Sequence, residues 1–384
     1  MKSPRLLDGI WIHFESLPDP RRTLTRCDQS AHDILTIAIL ANLCGAEGWE
    51  DIEQFGLLRE QWLRTFLTLT HGIPSEQTFR RFFARLRPKA FAECFARWVQ
   101  TLIGSSDGKL INIDGKTLRR SFDHATGRTA LHIVHAWCAD NAMLLAQHAV
   151  DAKSNEITAI PELLKLLDLR GALVSIDAMG TQKEIANDIV RAGGDYLLAL
   201  EDNHPTVHHE INDFFDRRIN TGDVVSIEHV DKDHGRLEVR RVHVSDQIRW
   251  FDDRKKWRNL QAIVRVHSER TLNGTTSIEH REYLCSLPLA DAQRIADATR
   301  RHWSVENTLH WSLDVTFRED DSRIRREHGP QNFALMRRLA LMLLRGAKRP
   351  GRSVKQTRKG AGWSQDELLR ILQVTIQPQP QDIS

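Results

Sequence analysis

The stretch Lys109-Leu-Ile-Asn-Ile-Asp114 decides the fold class, because an apolar run of strand length ends there on an aspartate. The same pattern returns at Ala172-Leu-Val-Ser-Ile-Asp177. Short apolar runs bounded by polar residues predict buried strands. In α/β proteins the carboxyl ends of such strands face the ligand. The two stretches therefore predict an α/β layer with a polar site at one edge of its sheet.

The residues around these two stretches predict the rest of that layer. Apolar runs with strand spacing alternate with segments of helical spacing, which is typical of an α/β fold. Strands are predicted at 131–138, 143–150 and 196–200, and helices at 157–167 and 181–192. A polar turn at Asp140-Asn141 joins the first two of these strands as a hairpin.

The chain before this layer predicts an all-helical domain over residues 1–105. Pro74-Ser75 followed by Glu76 is a typical helix start, and the helix that comes next, 78–86, carries arginines beside phenylalanines. Such a helix after a tight turn is similar to a DNA-reading helix. A packing helix with a solvated basic face fits the same residues equally well.

The spacing of apolar residues changes again at residue 223. It predicts a β-rich insertion over residues 223–287, which is followed by a helical region that runs from 290 to about 345. Four strand-like segments make up the insertion, at 224–230, 236–244, 261–268 and 279–284. The α/β layer with its insertion is thus expected over 106–347. The basic, glycine-bearing stretch 348–360 predicts a loop or tail in a C-terminal segment, 348–384, with one last short helix at 363–374 and a disordered end at 377–384.

Composition narrows the class of protein. The 384 residues are 41% hydrophobic and 27% charged, as in ordinary globular proteins, which excludes collagen-like and wholly disordered chains. The five cysteines are scattered and form no C-x-x-C pair, which favours a reducing compartment. No apolar stretch approaches the length of a membrane span. We therefore expect a soluble intracellular protein with no membrane partner.

Carboxylates are the candidates for chemistry. Two aspartates on neighbouring strand ends, Asp114 and Asp177, would offer Mg²⁺ the oxygen ligands it prefers, although each alone is more typical of a cap or turn. A third candidate is Glu306, because His302, Glu306, His310 and Asp314 are spaced four apart and would share one helix face. That row also fits a solvated helix face or a zinc site, although it lacks the His-Glu-x-x-His spacing of metalloproteases.

Taken together, five motifs resemble one known family. They are Ile113-Asp-Gly-Lys-Thr-Leu-Arg119, Lys153-Ser-Asn-Glu-Ile157, Ile176-Asp-Ala-Met-Gly-Thr-Gln-Lys183, His234-Gly-Arg-Leu-Glu238 and His302-Trp-Ser-Val-Glu-Asn-Thr-Leu-His-Trp-Ser-Leu-Asp-Val315. Over nearly the whole chain, their order resembles the DDE transposases of bacterial insertion sequences, in the branch of the H-repeat-associated proteins. Five motifs in order are far more specific than any one of them.

The resemblance implies a fold and an activity. It implies an RNase H-like catalytic core with a β-rich insertion and an N-terminal helical domain. It also implies that Asp114, Asp177 and Glu306 are the catalytic, metal-binding triad for two Mg²⁺ ions, which Mn²⁺ replaces. Two such ions activate the attacking oxygen and stabilise the leaving one. The expected substrates are the terminal inverted repeats of the element and target DNA, bound by a homodimer in the bacterial cytoplasm at the nucleoid.

Several basic and polar residues near the motifs are candidate DNA contacts, and Asp314 is a candidate supporting residue. The DNA candidates are Lys116, Arg119, His234, Arg236, Arg240, Arg241, Arg301, His302, Asn307 and His310. A solvated surface position is the competing interpretation for each of the cations. Asn307 and His310 are also placed to orient Glu306.

Two departures from the family pattern keep other functions open. Of the tyrosine, arginine, glutamate and lysine that often surround the last acidic residue in this superfamily, only Glu306 is present, and Glu201 stands where relatives often carry lysine. A non-catalytic DNA-binding protein descended from a transposase is therefore an alternative. A metal-dependent nuclease or hydrolase of the same fold is another, and a zinc enzyme is the least favoured.

The net charge of +3 conceals an uneven distribution. Residues 290–360 carry 16 basic and 8 acidic residues, whereas the rest of the chain carries 38 and 43. The interval from Arg345 to Lys359 has seven basic residues and no acidic one. Binding to a phosphate backbone requires a local basic segment of this kind. The sequence thus predicts a DNA contact there, with a solvated basic tail as the alternative for its last part.

Overall fold

Helices occupy the N-terminal part of the chain, as its sequence predicts. The computed structural model describes residues 8–21, 29–122, 127, 129–150, 155–201, 203–233, 236–272 and 275–374. Within the first two of these ranges lie α1 (Asp8–Phe14), α2 (Ala31–Cys44), α3 (Trp49–Leu58), α4 (Glu60–Leu63), α5 (Glu76–Arg85) and α6 (Pro88–Ile103).

Local sequence signals set the helices that matter most in this part. Ser30 caps α2 by accepting a hydrogen bond from the backbone N–H of Asp33 at 2.9 Å. Because α2 is apolar on all sides, it is buried from residue 33 to 43. Ser75 caps α5, and the three phenylalanines of α5 point inward while Arg81 and Arg85 stay exposed. DNA reading by α5 stays a prediction.

The described strands form one mixed sheet. They are β1 (Leu110–Leu118), β2 (Leu131–Cys138), β3 (Met143–Ala149), β4 (Leu173–Ile176), β5 (Asp195–Leu200), β6 (Val225–Asp233), β7 (Arg236–Ser245), β8 (Ala262–Leu272) and β9 (Thr275–Cys285). Their order in the sheet is β3-β2-β1-β4-β5-β9-β8-β7-β6. The helices between them are α7 (Glu156–Leu164), α8 (Lys183–Arg191) and α9 (Pro205–Arg218). The predicted α/β class is therefore confirmed at this level, with N-terminal helices before a large mixed sheet.

The predicted β-rich insertion continues this sheet. Antiparallel strands β6 to β9 pair in sequence order, and β9 then pairs with β5 through Leu197 opposite Cys285. The sequence did not predict α9, which precedes the insertion. This helix begins at Pro205 and buries only Val207, Ile211 and Phe215. Its sequence therefore has few apolar residues at helical spacing from which a helix could be predicted.

Helices continue after the insertion almost without interruption. They are α10 (Ala292–Arg301), a π-helical turn (Glu306–His310), α11 (Trp311–Phe317), α12 (Gly329–Gly346), α13 (Val354–Trp363) and α14 (Gln365–Val374). The prediction of a loop or tail at 348–360 was wrong, because α13 occupies most of it. Ser353 and Gln356 form a capping box at its start, a signal that the high basic content concealed.

The main hydrophobic core links the N-terminal helices to the sheet. Helix α12 lies between them and packs against α2, α5, α6 and β3. Its Asn332 donates hydrogen bonds to the backbone carbonyls of Phe83 and Leu86, at 2.7 and 2.9 Å. A helix buried along most of its length thus fixes α5 relative to the sheet. None of the described helices is long and apolar enough to cross a membrane.

Candidate active site

Strand register brings the two predicted aspartates together. β1 and β4 are parallel, and the last paired residues are Ile113 and Ile176. The next residue on each strand is an aspartate, so Asp114 and Asp177 are neighbours across the sheet. The expectation that Asp114 ends its strand was wrong, since β1 continues to Leu118 by pairing with β2. The edge of the site is instead where β4 stops beside β1.

Asp114 lies in a setting that is unfavourable for its charge. Its Oδ1 accepts the N–H of Gly115 at 2.8 Å, and its Oδ2 is buried without a hydrogen-bond partner among the described residues. Burial and the charges of Asp177 and Glu306 raise the pKa of Asp114 to about 7. The carboxylates of Asp177 and Glu306 are therefore both close enough to act on that of Asp114.

The second aspartate is held by the loop that comes after it. The Oδ1 atom of Asp177 accepts the N–H of Gly180 at 3.1 Å, and Thr181 donates its hydroxyl to the Asp177 carbonyl at 3.1 Å. Burial raises the pKa of Asp177, and Glu156 and Glu201 raise it further. The surroundings of Asp177 therefore also disfavour its charge.

Glu306 stands at the start of the π-helical turn, with its side chain exposed. Of the predicted row of four, His310 and Asp314 both contact β1, at Asp114 and Lys116, and Glu306 lies close enough to raise the pKa of Asp114. His302 is buried against Ser175 of β4. A π turn, which has more residues than an α turn, interrupts the regular spacing of four at Glu306. Single π turns inside α-helices are frequent at functional sites.

Hydrogen bonds hold the helical region around Glu306 against the sheet. The Asn112 side chain donates to the carbonyls of Arg301 and His302 at 2.9 and 3.1 Å. His302 Nδ1 and the Ser175 hydroxyl share a hydrogen bond of 2.6 Å. Asn112 is on β1 and Ser175 on β4, so both strands that lead to the aspartates also hold the helix of Glu306.

Two of the residues predicted to contact DNA, His302 and Lys116, are buried inside the protein. His302 is only 5% exposed, and burial lowers its pKa to about 4, so it is neutral and out of reach of DNA. Lys116 is buried, and its Nζ lies 2.8 Å from Asp314 Oδ2 and 3.6 Å from Asp320 Oδ1. The phosphate role predicted for Lys116 is therefore revised, since its ammonium joins β1 to α11. Asp314 supports the site through this ion pair.

His310 lies between Asp114 and a buried series of interacting side chains, His135, Arg338 and Glu319. Its Nδ1 is 3.7 Å from Asp114 Oδ2, and burial lowers its pKa to about 3. Its ring packs edge-on against His135 at 5.4 Å between centroids. His135 accepts from Arg338, which is held by both oxygens of Glu319. The ring of His310 therefore faces Asp114, where it can position that carboxylate. DNA binding by His310 stays a prediction.

The other predicted DNA contacts whose side chains the structure describes lie at the surface or near it. Arg119 has 81% of its side chain exposed and lies 3.3 Å from Asp320, and Asn307 is exposed. Arg301 is paired with Asp140, Arg240 with Glu238, and Arg241 with Glu228 and Glu269. His234 lies outside the described residues, and Arg236 is described only as the first residue of β7. DNA binding by these residues stays a prediction.

The basic interval from Arg345 to Lys359 divides into two kinds of residue. Arg345 donates to the Thr308 carbonyl at 2.7 Å, and burial lowers its pKa to about 10. Arg358 is 6% exposed and donates to the carbonyls of Asn42, Ala46 and Thr316. These two guanidinium groups join helices, so the prediction that the whole interval meets DNA was wrong for them. The remaining five basic residues are exposed.

The oxygen atoms at this site suit a hard divalent cation, which prefers carboxylate ligands. Asp114 and Asp177 are like-charged neighbours, and burial raises the pKa of both. In the part of the chain that the structure describes, no three His, Cys, Asp or Glu side chains are placed so that they could already hold a metal ion.

Comparison with known proteins identifies the family. Residues 100–343 match the family model described as Transposase DDE domain. The chain belongs to the DDE transposase family. Residues 11–99 match the model described as DDE_Tnp_1-associated, which accompanies it. DDE transposases act on DNA and generally use divalent metal ions, and Asp114, Asp177 and Glu306 all lie within the matched domain.

Curated relatives cover most of this transposase. The H repeat-associated putative transposase YhhI of Escherichia coli K12 is 36% identical over 95% of this chain and 98% of its own length. A putative transposase, YncI of Escherichia coli O157:H7, is 38% identical over 94% of this chain and 92% of its own. An uncharacterized protein in the dhlA 3′ region of Xanthobacter autotrophicus is 45% identical over 71% of this chain and 92% of its own. The predicted H-repeat-associated branch is thus confirmed.

Proposed function

We propose that this protein is an active transposase that cleaves DNA at the ends of its insertion sequence and joins those ends to target DNA. The observation that supports this most directly is that Asp177, its neighbour across parallel strands, and Glu306 both lie close enough to act on Asp114, in a chain of the DDE transposase family. On this proposal the central part of the sheet with its helices is an RNase H-like core, over residues 106–347. The helical region 1–105 and the basic segment 348–384 assist in binding DNA.

The triad is proposed to hold two Mg²⁺ ions. When bound, such ions activate the attacking oxygen and stabilise the leaving 3′-oxygen. Asp114 and Asp177 would hold the ions with the carboxylates that they present at the edge where β4 stops. Glu306, which is exposed at the start of the π-helical turn, would supply the third carboxylate.

Other residues of the site are proposed to keep this arrangement in place. Lys116 holds Asp314 and with it the helix that comes after Glu306. His310 limits the positions that Asp114 can take, because its ring fills the space beside Oδ2. No covalent bond between protein and DNA is needed, because an activated water or a 3′-hydroxyl is the nucleophile. Arg119 and Asn307, both exposed, are proposed to contact the phosphates, and two copies of the chain are proposed to act on paired ends.

The test is strand cleavage and joining with the purified full chain, Mg²⁺ and DNA that carries the flanking terminal repeat. Asp177→Asn keeps the size of the side chain and removes its charge, so we expect a loss of about 10² or more in both steps, the scale of a lost electrostatic contribution to catalysis. Asp213→Asn, a matched change at the surface of α9, should leave both steps unchanged. Full activity of Asp177→Asn would contradict the assignment.

One observation favours a second candidate, a DNA-binding protein that has lost catalysis. Glu201 stands where the resemblance to transposases implies a lysine, and its charge contributes to the raised pKa of Asp177. An extra negative charge beside the triad disfavours the approach of a phosphate. Tight binding to element-end DNA with no cleavage in either Mg²⁺ or Mn²⁺ would support this candidate, and metal-dependent cleavage by the purified protein would exclude it.

A further inference from the structure

Glu156 is a fourth carboxylate beside the two aspartates. It belongs to the motif Lys153-Ser-Asn-Glu-Ile157, and it is the first residue of α7. It is only 8% exposed, and its partner among the described residues is a histidine. This is His132, whose Nε2 bonds Glu156 Oε1 and whose Nδ1 shares a 2.7 Å hydrogen bond with the Thr117 hydroxyl. Burying a carboxylate is costly unless it is paired or binds a cation.

Gly115 leaves the space that this carboxylate occupies. A Cβ atom at Gly115 would overlap Glu156 Oε1 and would lie 2.5 Å from His132 Nε2, so a side chain at this position would displace one of them. Gly115 directly follows Asp114 on β1. The sequence Asp-Gly at the edge of the site therefore brings the glutamate against the backbone beside the first aspartate.

The charge of Glu156 acts on both aspartates. After burial, it is one of the charges that raise the pKa of Asp177, and it also contributes to the raised pKa of Asp114. A residue that served only to pair with His132 would be more stable away from two other carboxylates. Repulsion of this kind is relieved when a cation binds among the carboxylates.

We propose that Glu156 is a further ligand-bearing residue of the divalent-cation site, held beside Asp114 and Asp177 by His132 and by the space at Gly115. This inference rests on the proposed function, since it concerns the cations that DNA cleavage requires. Glu156 adds a carboxylate from α7, an element separate from the helix of Glu306. It raises the affinity for the cation, and the alternative is a purely structural ion pair with His132.

Cation binding to the full chain, without DNA, tests this separately from catalysis. Mn²⁺ binding is measured by calorimetry, and the melting temperature is recorded with EDTA and with Mn²⁺. Glu156→Gln should weaken Mn²⁺ binding by about ten- to hundredfold, the scale of a lost ligand or its support. Its melting temperature in EDTA should be equal to or above that of the wild type, because a repulsive charge is gone. Glu162→Gln removes a surface charge from the same helix and should bind Mn²⁺ as the wild type does.

The outcomes separate the two proposals. A lower melting temperature in EDTA together with unchanged Mn²⁺ affinity would show a structural ion pair and overturn the role of Glu156, while the proposed function would stand. A wild-type protein that binds no Mn²⁺ would overturn both. If Glu156→Gln does not fold, Gly115→Ala makes the same comparison, since its Cβ would overlap Glu156 Oε1, the nearest atom to it, and the variant keeps every carboxylate. Unchanged Mn²⁺ affinity in a folded Gly115→Ala protein would likewise overturn the inference.

Discussion

Asp114 is a triad residue whose ionisation depends strongly on its surroundings. Its pKa of about 7 lies above the value near 4 of an unfolded chain. Between these values the folded protein keeps a proton that the unfolded chain releases, so without metal its stability falls as pH rises through this window.

Asp114→Asn removes this titration. In EDTA at pH 8 the variant should be more stable than the wild type by about 1–3 kcal/mol. The advantage should shrink progressively toward pH 5, where the wild-type carboxyl is protonated in the folded state. Thermal melts of both proteins at pH 8 and pH 5 measure the effect. An equal difference at the two pH values, or a less stable variant at pH 8, would show that Asp114 is ionised throughout.

Sequence reasoning located the carboxylates of this site better than the residues that support them. Asp114 and Asp177 were predictable because each comes directly after its own apolar run, which is a local signal. The burial of His302 and of Lys116 was not, since it depends on elements distant in sequence. Glu156 offered a weaker signal, a carboxylate in the first turn of a helix after two strands, which usually indicates no more than favourable helix-dipole placement.

At the scale of elements, the link between β1 and α11 depends on one ion pair. Lys116 and Asp314 lie 2.8 Å apart, with the lysine buried and the aspartate about one-third exposed. Lys116→Met leaves Asp314 without its cation, so we expect a loss of stability of about 1–2 kcal/mol. Lys116→Met with Asp314→Asn should recover part of that loss, giving a coupling energy of about 1 kcal/mol in a double-mutant cycle. Strict additivity of the two changes would mean that the pair does not join these elements.

Helix α13 shows why charge alone misled the prediction for its segment. The sequence from Lys348 to Gly360 is basic, but one side of the helix is buried at Thr357, Arg358 and Ala361, and the helix packs on α2. Arg358 is satisfied by main-chain carbonyls rather than by acids, a kind of partner that no sequence pattern reveals. The π turn at Glu306 is equally invisible in the sequence, because its apolar spacing is that of an ordinary helix.

At the scale of the whole molecule, the C-terminal helices pack against the N-terminal ones. Arg358→Met should therefore lower the stability of the protein, by about 2–4 kcal/mol, because it removes the buried donor to the carbonyls of Asn42, Ala46 and Thr316. The salt dependence of DNA binding should stay unchanged in this variant. A flatter salt dependence in a normally stable Arg358→Met protein would mean that the guanidinium reaches DNA.

The exposed cations of the same interval are expected to behave in the opposite way. Lys348, Arg352, Lys355 and Lys359 lie at the surface, so changing them together to glutamine should leave stability nearly unchanged. If they meet phosphates, the slope of log affinity against log salt should fall by roughly 0.9 for each lost contact. Affinity titrations on element-end DNA at several salt concentrations measure this slope. An unchanged slope would remove the segment from the DNA interface.

The central claim is that the carboxylates at the end of β4 form the cation site of a transposase. Anomalous diffraction from crystals of the protein with element-end DNA and Mn²⁺ tests it most directly. We expect anomalous peaks within about 2.5 Å of carboxylate oxygens of Asp114 and Asp177, at the distances of oxygen-ligated divalent ions. Glu306 should lie in contact with the same ions or the phosphate between them. Bound DNA with no Mn²⁺ at these aspartates, or with Mn²⁺ held elsewhere, would contradict the claim.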